Sequence, residues 1–287
     1  MATDINRTTS IALPGEVSSE ILQKTQESSA VMSLAQQIKL PGLGVTIPVI
    51  TGDPEAAWVA ETGKKPVKRG TLDTKIMQPY TLAVIVPFSN QFRRDVPALY
   101  KQLVSRLPLA LAQKFDATVF GGVTAPGDNF DTLKTCTAQE IGTDAYAGLV
   151  AADADIADHN GILNGWVLSP KGKALLLNAV DANKRPLFIN NVAEGAVPMI
   201  LGSKTLQSKG AYVSGTPNVV GFAGDWTQAM YGTVEGVQIA IADQATLQDG
   251  ENTINLFQQN MFAVRAEIEV GFRCDTTVFN KLTKAAG

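Results

Sequence analysis

The chain has little of the chemistry that most active sites need. Its 287 residues include one histidine, His159, and two cysteines, Cys136 and Cys274. A zinc site built from several histidines is excluded, and the two distant cysteines fit neither a disulfide framework nor a CxxC site. We expect both thiols to be free, as in a reducing compartment. The GxGxxG, GxxxxGK[ST] and GxSxG motifs are absent too, so the sequence offers no conventional active site and implies no cofactor.

Long apolar runs and an excess of one charge are also missing. No stretch approaches the roughly 18 consecutive apolar residues of a membrane helix, and the N-terminus does not read as a secretory signal. We therefore expect no membrane partner. The 24 basic and 27 acidic residues give a net charge of −3, which argues against a dedicated nucleic-acid binder. With 45% hydrophobic residues, the chain can bury the core of one large domain or of two ordinary ones.

The acidic run over residues 153–161 contains the only histidine. It fails the register of a calcium loop, because Ala157 stands at the fifth position when Asp153 is taken as the first. The pattern predicts instead a helix from about Thr143 to Asp158 with a solvated acidic face. We expect His159 to be a C-terminal cap or surface residue, because cations are favoured at that end of a helix.

The first third of the chain predicts a long hairpin. Residues 1–14 are polar and predict an extended arm, and a helix is predicted from Gly15 to Ser29. Residues 56–61 read as a strand, and apolar residues alternate from Ile76 to Phe88, which is a strand signature. An arm of about 15 residues would reach about 50 Å. A hairpin this long cannot bury itself, so we expect it to pack on another subunit.

The tip of this hairpin is basic. It carries Lys64, Lys65, Lys68 and Arg69, with no acidic residue between Glu61 and Asp73. Two interpretations stay open. The tip is either a solvated charged turn or a surface that docks on acidic groups of a neighbouring copy.

The rest of the chain mixes helices and strands. Apolar residues recur every four positions and predict a helix over 97–120, with a kink or restart at Pro108 and an end at Gly121 and Gly122. Residues 123–226 predict an α/β mixture. Its elements are a strand over 165–168, a helix capped by Ser169 with Pro170 at its first position, and short strands near 198–201 and 210–213. Alternation over 237–241 and 262–272 predicts two further strands.

Taken together, these stretches resemble the major capsid proteins of tailed double-stranded DNA bacteriophages, which have the Hong Kong 97-type fold. The resemblance is carried by AAWVAE with the basic turn and TLAVIVPFS, by SNQFRRDVPALYKQLVSRLPLALAQKFDATVFGG, by NGWVLSPKGKALLLNAVDANKRPLF, and by VVGFAGDWTQAMYGTVEGVQIAIAD with NMFAVRAEIEVGFRCDTTVF. Each motif is weak alone, but their order and spacing cover nearly the whole chain.

The resemblance implies an α+β chain with an N-terminal arm, an extended β-hairpin loop, a peripheral domain with a long spine helix, and an axial α/β domain. The implied division is an arm over 1–30, the first part of the peripheral domain over 31–50, the extended loop over 51–85, the peripheral domain with the spine helix over 86–122, the axial domain over 123–226, peripheral strands over 227–272, and a C-terminal segment returning to the axial domain over 273–287.

The resemblance also implies a function and partners. Such subunits assemble as pentamers and hexamers into an icosahedral shell around packaged DNA, and their place is the virion, after assembly in the bacterial cytoplasm. A scaffolding protein and a portal are expected partners, and a decoration protein is a further one. Contact with DNA should be weak and nonspecific, given the net charge. Loop contacts between subunits are expected at Trp58, Glu61 and Arg69.

Some members of this family form an isopeptide crosslink between a loop lysine and an asparagine of a neighbour, promoted by a glutamate. By resemblance, the asparagine is Asn260, the glutamate is Glu267, and the lysine is Lys64, Lys65 or Lys68. A glutamate with a raised pKa could accept the lysine proton. The alternative is two ordinary strand residues. They lie seven apart and so face opposite sides of a regular strand, and a bulge would be needed to bring them together.

Three rival functions remain at this point. The nearest is an encapsulin, a shell of the same fold that encloses a cargo enzyme. The second is a soluble enzyme with an unrecognised site in residues 123–226, which the single histidine and the absent motifs argue against. The third is a tail protein or another structural protein of the virion.

Overall fold

The computed structural model of the chain describes residues 15–52, 58–59, 71–91, 96–180, 183–187, 199–250 and 252–284. The α-helices are α1 Gly15–Ser28, α2 Ala30–Leu34, α3 Val96–Val119, α4 Ala145–Asp158 and α5 Pro170–Leu177. The strands are β1 Gln36–Lys39, β2 Val45–Gly52, β3 Thr71–Met77, β4 Tyr80–Ser89, β5 Thr137–Glu140, β6 Gly165–Leu168, β7 Met199–Ile200, β8 Ser203–Gln207, β9 Asn218–Gly224, β10 Ala229–Thr233, β11 Gln238–Ala242, β12 Thr246–Asp249, β13 Asn252–Asn255, β14 Met261–Cys274 and β15 Phe279–Lys284.

A five-stranded sheet, here called the first sheet, is organised around β14. Strands β11 and β10 pair in succession along one edge of β14, and β4 pairs along the other. Strand β1 adds in parallel to β10. The predicted alternation is confirmed, because Phe262, Val264 and Ile268 are buried whereas Arg265 and Glu269 are exposed.

A six-stranded sheet, here called the second sheet, has the order β5-β15-β9-β6-β8-β7. Helices α4 and α5 cover one face, where Leu149 and Leu176 share a core cluster with Trp166. The other face, which includes Val167 and Phe222, packs in a different cluster with the end of α3. The second sheet therefore lies between this helix pair and the long helix.

Helix α3 connects the cores of the two sheets. Leu107 and Leu111 belong to the cluster under the first sheet, together with Phe262. One to three turns later, Phe115 and Val119 belong to the cluster that reaches the second sheet. The helix of 24 residues is about 36 Å long, so it acts as a common spine.

The helix termini follow the local sequence signals. The Ser169 hydroxyl accepts a hydrogen bond from the Gly172 N–H at 3.0 Å and caps α5, with Pro170 in the first turn. His159 is the C-cap of α4, and its Nδ1 lies 2.7 Å from the Asp155 carbonyl oxygen. Gly121 follows α3 with φ +77°, a conformation that favours glycine. These predicted helix ends are confirmed.

The predicted restart of the helix at Pro108 is not found, because α3 runs through this residue as one continuous element. A proline inside a helix removes one backbone hydrogen bond. Pro108 is itself buried beside the core residue Leu107, and apolar packing at this position offsets the lost bond.

The predicted pairing of the long hairpin was wrong, although β4 confirms a strand over most of the run 76–88. The hairpin that the structure describes is formed by β2 and β3, which pair with each other from Val45–Met77 onward. The run 76–88 is broken at Gln78 and Pro79, and its second part, β4, enters the first sheet. Proline has no N–H for a β-ladder, so it marks the change of sheet. Trp58 and Val59 lie outside any strand, and the other residues of 56–61 lie outside the described ranges.

The second sheet also differs in part from expectation. The predicted strand over 210–213 is a 3-10 turn over Lys209–Ala211, followed by a single bridge between Val213 and Val219. Strand β7 confirms the prediction near 198–201, whereas β8 and β9 were not predicted. The sequence of β9, NVVGFAG, contains two glycines and does not alternate cleanly, because both of its faces are covered.

Candidate assembly surface

The hairpin β2–β3 is fixed at its root by a cluster of ionic groups. Arg273 donates hydrogen bonds to Asp131 Oδ1 at 2.8 Å, to Asn129 Oδ1 at 2.7 Å and, through Nε, to the Ile76 carbonyl at 2.8 Å. Lys75 donates to the Cys274 carbonyl at 2.8 Å and lies 3.4 Å from Asp131 Oδ2. Charge-assisted hydrogen bonds of this kind fix geometry strongly. The root of the hairpin is therefore clamped to the end of β14.

An apolar contact supports the same root. Met77 is fully buried. It fills a notch made by Gly232 and Gly271, which face each other across β10 and β14. A Cβ on Gly271 would lie 2.6 Å from the Gln78 carbonyl oxygen and 2.9 Å from Met77 Cγ. Because Gly232 and Gly271 have no side chains, the first sheet leaves room for Met77 of the hairpin root.

A buried carboxylate joins the N-terminal helices, the spine and the second sheet. Asp116 of α3 accepts hydrogen bonds from the Ser29 hydroxyl at 2.5 Å, the Ser208 hydroxyl at 2.6 Å and the Ala30 N–H at 3.0 Å. It is 1% exposed. Burial raises its pKa above 3.8, while these hydrogen bonds and one from Val31 act in the opposite direction.

The outer face of the first sheet carries both charged and uncharged side chains. On β14 it presents Arg265, which pairs with Glu267, and the exposed Glu269. The flanking strands contribute the exposed residues Thr81, Ala83, Ile85, Gln238, Ala240 and Ala242. Short side chains beside a few charges make a surface on which another extended segment can lie closely.

The structure does not bring Asn260 and Glu267 of one chain together. Asn260 is exposed in the turn before β14, with φ +53°, and its Oδ1 accepts a hydrogen bond from Asn90 Nδ2 at 2.7 Å. Glu267 lies seven residues further, about 23 Å along the strand. The pairing of β14 with β4 is continuous from Met261 to Val270, without a bulge. A reaction that needs both groups must take them from different copies.

The other predicted site residues belong to the segment between β2 and β3. Glu61, Lys64, Lys65, Lys68 and Arg69 are outside the described residues. Trp58 is described, and its side chain is fully exposed. An exposed tryptophan is unusual unless it meets a partner.

Several further large apolar side chains are exposed. They are Leu43, Ile76, Ile85, Leu109, Tyr146, Val150, Ile162, Val180, Leu187, Met199, Leu201 and Phe257. Across the described ranges, no group of three or more histidine, cysteine, aspartate or glutamate residues could hold a metal ion. Among the same residues, no helix is both long and apolar enough to cross a membrane.

Sequence reasoning missed two of these features. The Asp131–Arg273 pair joins residues 142 positions apart, and no local pattern predicts it. Asp116 did leave a signal, because it is an acid that directly follows the core residue Phe115 in a helix whose apolar residues recur every four positions.

Comparison with known proteins accounts for this architecture. The sequence profile of the Phage capsid family matches residues 9–275. The chain is 31% identical to the "Probable major capsid protein gp17" of Mycobacterium phage L5, over 94% of this chain and 89% of that protein. Among solved structures, one of Gordonia phage Cozz has a TM-score of 0.71 at 19% identity, covering 90% of this chain and 87% of that one. The capsid of an empty GTA particle has a TM-score of 0.64 at 16% identity, over 90% of each chain.

The chain belongs to the Phage capsid family. It is a major capsid protein of the tailed-phage type, a structural component of the virion shell and not an enzyme. The resemblance to the Hong Kong 97-type capsid fold is confirmed. The related proteins are phage capsids and not encapsulins, so the encapsulin, soluble-enzyme and tail-protein alternatives are set aside.

Proposed function

We propose that copies of this chain assemble as pentamers and hexamers into a closed icosahedral shell that encloses double-stranded DNA. The observation that carries the proposal is the hairpin β2–β3. It is clamped at its root by Asp131 and Arg273, and in the described residues its two strands pair only with each other. Such a hairpin gains its remaining burial from neighbouring copies. Closed symmetry repeats each such contact around the particle, and the related GTA capsid was computed with C5 symmetry.

The predicted division of the chain fits this proposal. We take the arm as residues 1–30, the extended loop as the part of 51–85 that precedes β4, the axial domain as 123–226, and the remainder, with β4, as the peripheral domain with its C-terminal return. The second sheet would then face the symmetry axis. The first sheet and the spine helix would form the wall between neighbouring capsomers.

The proposed partners follow from the proposed shell. They are a scaffolding protein and a portal during assembly in the bacterial cytoplasm, with a decoration protein as a further partner. Packaged DNA would be held by weak, nonspecific contacts, in keeping with the net charge of −3. Trp58, Glu61 and Arg69 would lie in the loop contact between subunits, and the basic tip would meet acidic groups there.

We also propose that copies of the chain become covalently crosslinked in the mature shell. Lys64, Lys65 or Lys68 of one copy would attack the Asn260 side chain of a second copy, forming an amide bond and releasing ammonia. Glu267 would come from a further copy, because it lies about 23 Å from Asn260 within one chain. Mature particles should then give a ladder of covalent oligomers on a denaturing gel, and Asn260→Ala should abolish it. A single monomer band would contradict the crosslink but would leave the proposed shell function in place.

The shell itself is tested by expressing the chain, separating it by size exclusion and imaging it by negative-stain electron microscopy. Closed shells are the expected result. Capsomers or irregular sheets that close on addition of a scaffolding protein would support the same function. A monomer that forms no higher assembly under any of these conditions would overturn it.

A further inference from the structure

Charge is divided between the two edges of the second sheet. Helix α4 packs on β5, β15 and β9 at one edge, whereas β7 and β8 form the other edge, beyond β6. From Thr137 to Pro170 the sequence has no lysine or arginine and five acidic residues, which are Glu140, Asp144, Asp153, Asp155 and Asp158. Lys284 of β15 lies beside the N-terminus of α4, away from the later turns of the helix. The surface of these later turns is therefore acidic.

The outward face of α4 is apolar. Its inward residues pack on the second sheet, and they are Ala145, Gly148, Leu149, Ala152 and Ile156. On the opposite face, Tyr146 and Val150 are 54% and 41% exposed. Ala154 continues this face, and the exposed residues Asp153 and Asp158 flank it on its two sides. Helix α4 thus has a second apolar stripe, on the side that the second sheet does not cover.

The opposite edge of the sheet is basic and apolar. The described residues of 171–209 include no acidic side chain and six basic ones, which are Lys171, Lys173, Lys184, Arg185, Lys204 and Lys209. Lys204 is part of β8, and Lys173 lies on the side of α5 opposite to the groove that Lys171 lines. Met199 and Leu201, at the turn between β7 and β8, are 61% and 43% exposed.

The two surfaces are complementary to each other. Each has exposed apolar side chains, and the charges beside them are acidic on α4 and basic at the β7–β8 edge. They do not meet within one copy, because β6 and α5 lie between them. A contact of α4 with α4 of a second copy would place acids against acids, which is unfavourable. A contact between two different surfaces is head-to-tail, and repeated contacts of this kind close into a ring.

We propose that the outward face of α4 in one copy docks on the β7–β8 edge of the next copy around each pentamer and hexamer. This inference rests on the proposed shell function and names the surfaces by which neighbouring second sheets meet. Tyr146 and Val150 lose their exposure against Met199 and Leu201, and the acids that flank α4 face the lysines of the other edge. Because exposed charges orient this contact, raised ionic strength weakens it.

Paired cysteines test the contact in assembled particles. Val150→Cys and Ala154→Cys are each combined, within one chain, with Met199→Cys or Leu201→Cys. After treatment with a mild oxidant, a non-reducing denaturing gel should show for at least one pair a ladder of oligomers that ends at six copies, because the ring closes there. A reducing agent should remove this ladder, which distinguishes it from an isopeptide crosslink. Both natural cysteines are buried, so they do not compete.

The controls use the same cysteines in other combinations. Each single variant is one control, and Ile85→Cys with Met199→Cys is a matched pair, because Ile85 is exposed on the outer face of the first sheet. These controls should give at most a tenth of the product. A product that stops at two copies, a ladder that continues beyond six, equal product in the controls, or no ladder from any of the four pairs would each overturn the inference.

Exchange of the flanking charges provides a second measurement. Asp153→Lys with Asp158→Lys, and Lys173→Glu with Lys204→Glu, should each lower the yield of shells at least five-fold, because like charges then face each other. The melting temperature of the unassembled subunits shows that both double variants remain folded. The fourfold variant, which exchanges the two signs, should recover at least half of the natural yield. A fourfold variant that stays folded and assembles no better than the double variants would contradict the proposed contact.

The unmodified chain separates this inference from the shell function. Shells of normal appearance, together with no disulfide ladder from any cysteine pair, would overturn the α4 contact and leave the shell function in place. Failure of the unmodified chain to assemble would overturn both.

Discussion

The carboxylate of Asp116 accepts a hydrogen bond of 2.6 Å from the Ser208 hydroxyl, 92 residues later in the chain. Both side chains are buried, and Ser208 also caps the turn before β9 by accepting from the Gly210 N–H. A close approach at Gly210 is required, because a Cβ there would lie 2.8 Å from the Ala117 backbone nitrogen. The spine and the second sheet are thus joined at one polar point inside an apolar core.

Removing this carboxylate should destabilise the subunit. Asp116→Ala leaves the Ser29 and Ser208 hydroxyls and the Ala30 N–H without an acceptor, and buried unpaired groups of this kind cost about 1–3 kcal/mol each. Relief of the buried charge offsets part of that cost, so we expect a net loss of about 2–4 kcal/mol in the free energy of unfolding. Denaturant unfolding of the unassembled subunit measures it. Asp128→Ala, at an exposed aspartate, is the control, and an equal loss there would contradict the prediction.

The same residue should make stability depend on pH in a defined direction. The pKa of Asp116 in the folded chain is raised above 3.8, so the folded state holds the proton more tightly than the unfolded state. Its contribution is complete below the ordinary value and is lost as the pH rises through the raised value. The unfolding free energy of the natural chain minus that of Asp116→Asn should therefore fall as the pH rises above the ordinary aspartate value of about 4. A difference that is flat or rises with pH would refute this assignment.

The clamp at the hairpin root predicts a local effect. Arg273→Ala removes three hydrogen bonds, to Asp131, Asn129 and the Ile76 carbonyl. Amide hydrogen exchange over residues 45–52 and 71–77 should become faster, and global stability should fall by about 1–3 kcal/mol. Lysine should not rescue it, because a point charge cannot form the same fork. Arg265→Ala, on the exposed face of the same strand, should leave exchange in the hairpin unchanged.

The glycine notch predicts a steric effect at the same place. Gly271→Ala puts a methyl group 2.6 Å from the Gln78 carbonyl oxygen, so the hairpin root must shift. Overpacking of this kind costs about 1–3 kcal/mol, and thermal unfolding should report it. At Gly42 an added Cβ meets nothing within 4 Å, so Gly42→Ala should change the melting temperature little. Equal shifts for the two variants would argue against the notch.

Both thiols should be inert in the folded subunit. Burial raises the pKa of Cys136 to about 12 and that of Cys274 well above 9.0. Since the thiolate is the reactive form, neither residue should react with an aromatic disulfide reagent at pH 8 within minutes. Two thiols per chain should react after denaturation. Rapid reaction of either one in the native subunit would contradict the burial described here.

Sequence predicted the helices well because their ends are decided locally. Ser169 with Pro170, and Gly121 after Val119, carry their own capping chemistry. The strand over 262–272 could also be predicted from the sequence. One of its faces is buried along its whole length, so apolar residues recur at every second position. Each of these elements would be recognisable in any fold.

The hairpin was misread because alternation does not reveal which sheet a strand joins. Residues on both sides of Pro79 alternate, yet β3 pairs with β2 and β4 pairs with β14. Pairing is decided by tertiary contacts such as Met77 in its glycine notch. The Asp131–Arg273 clamp could not be predicted for the same reason. Asp116 was missed as well, although an acid directly after the core residue Phe115 was a signal that could have revealed it.

Helix α3 and strand β14 run side by side in the same direction. Leu107 clusters with Phe262 near one end, and the rings of Phe115 and Phe272 lie 6.3 Å apart towards the other. Two rods joined along their length resist bending much better than either rod alone. A shell built from such subunits would therefore yield first at the contacts between copies, while this pair of rods keeps its shape within each copy.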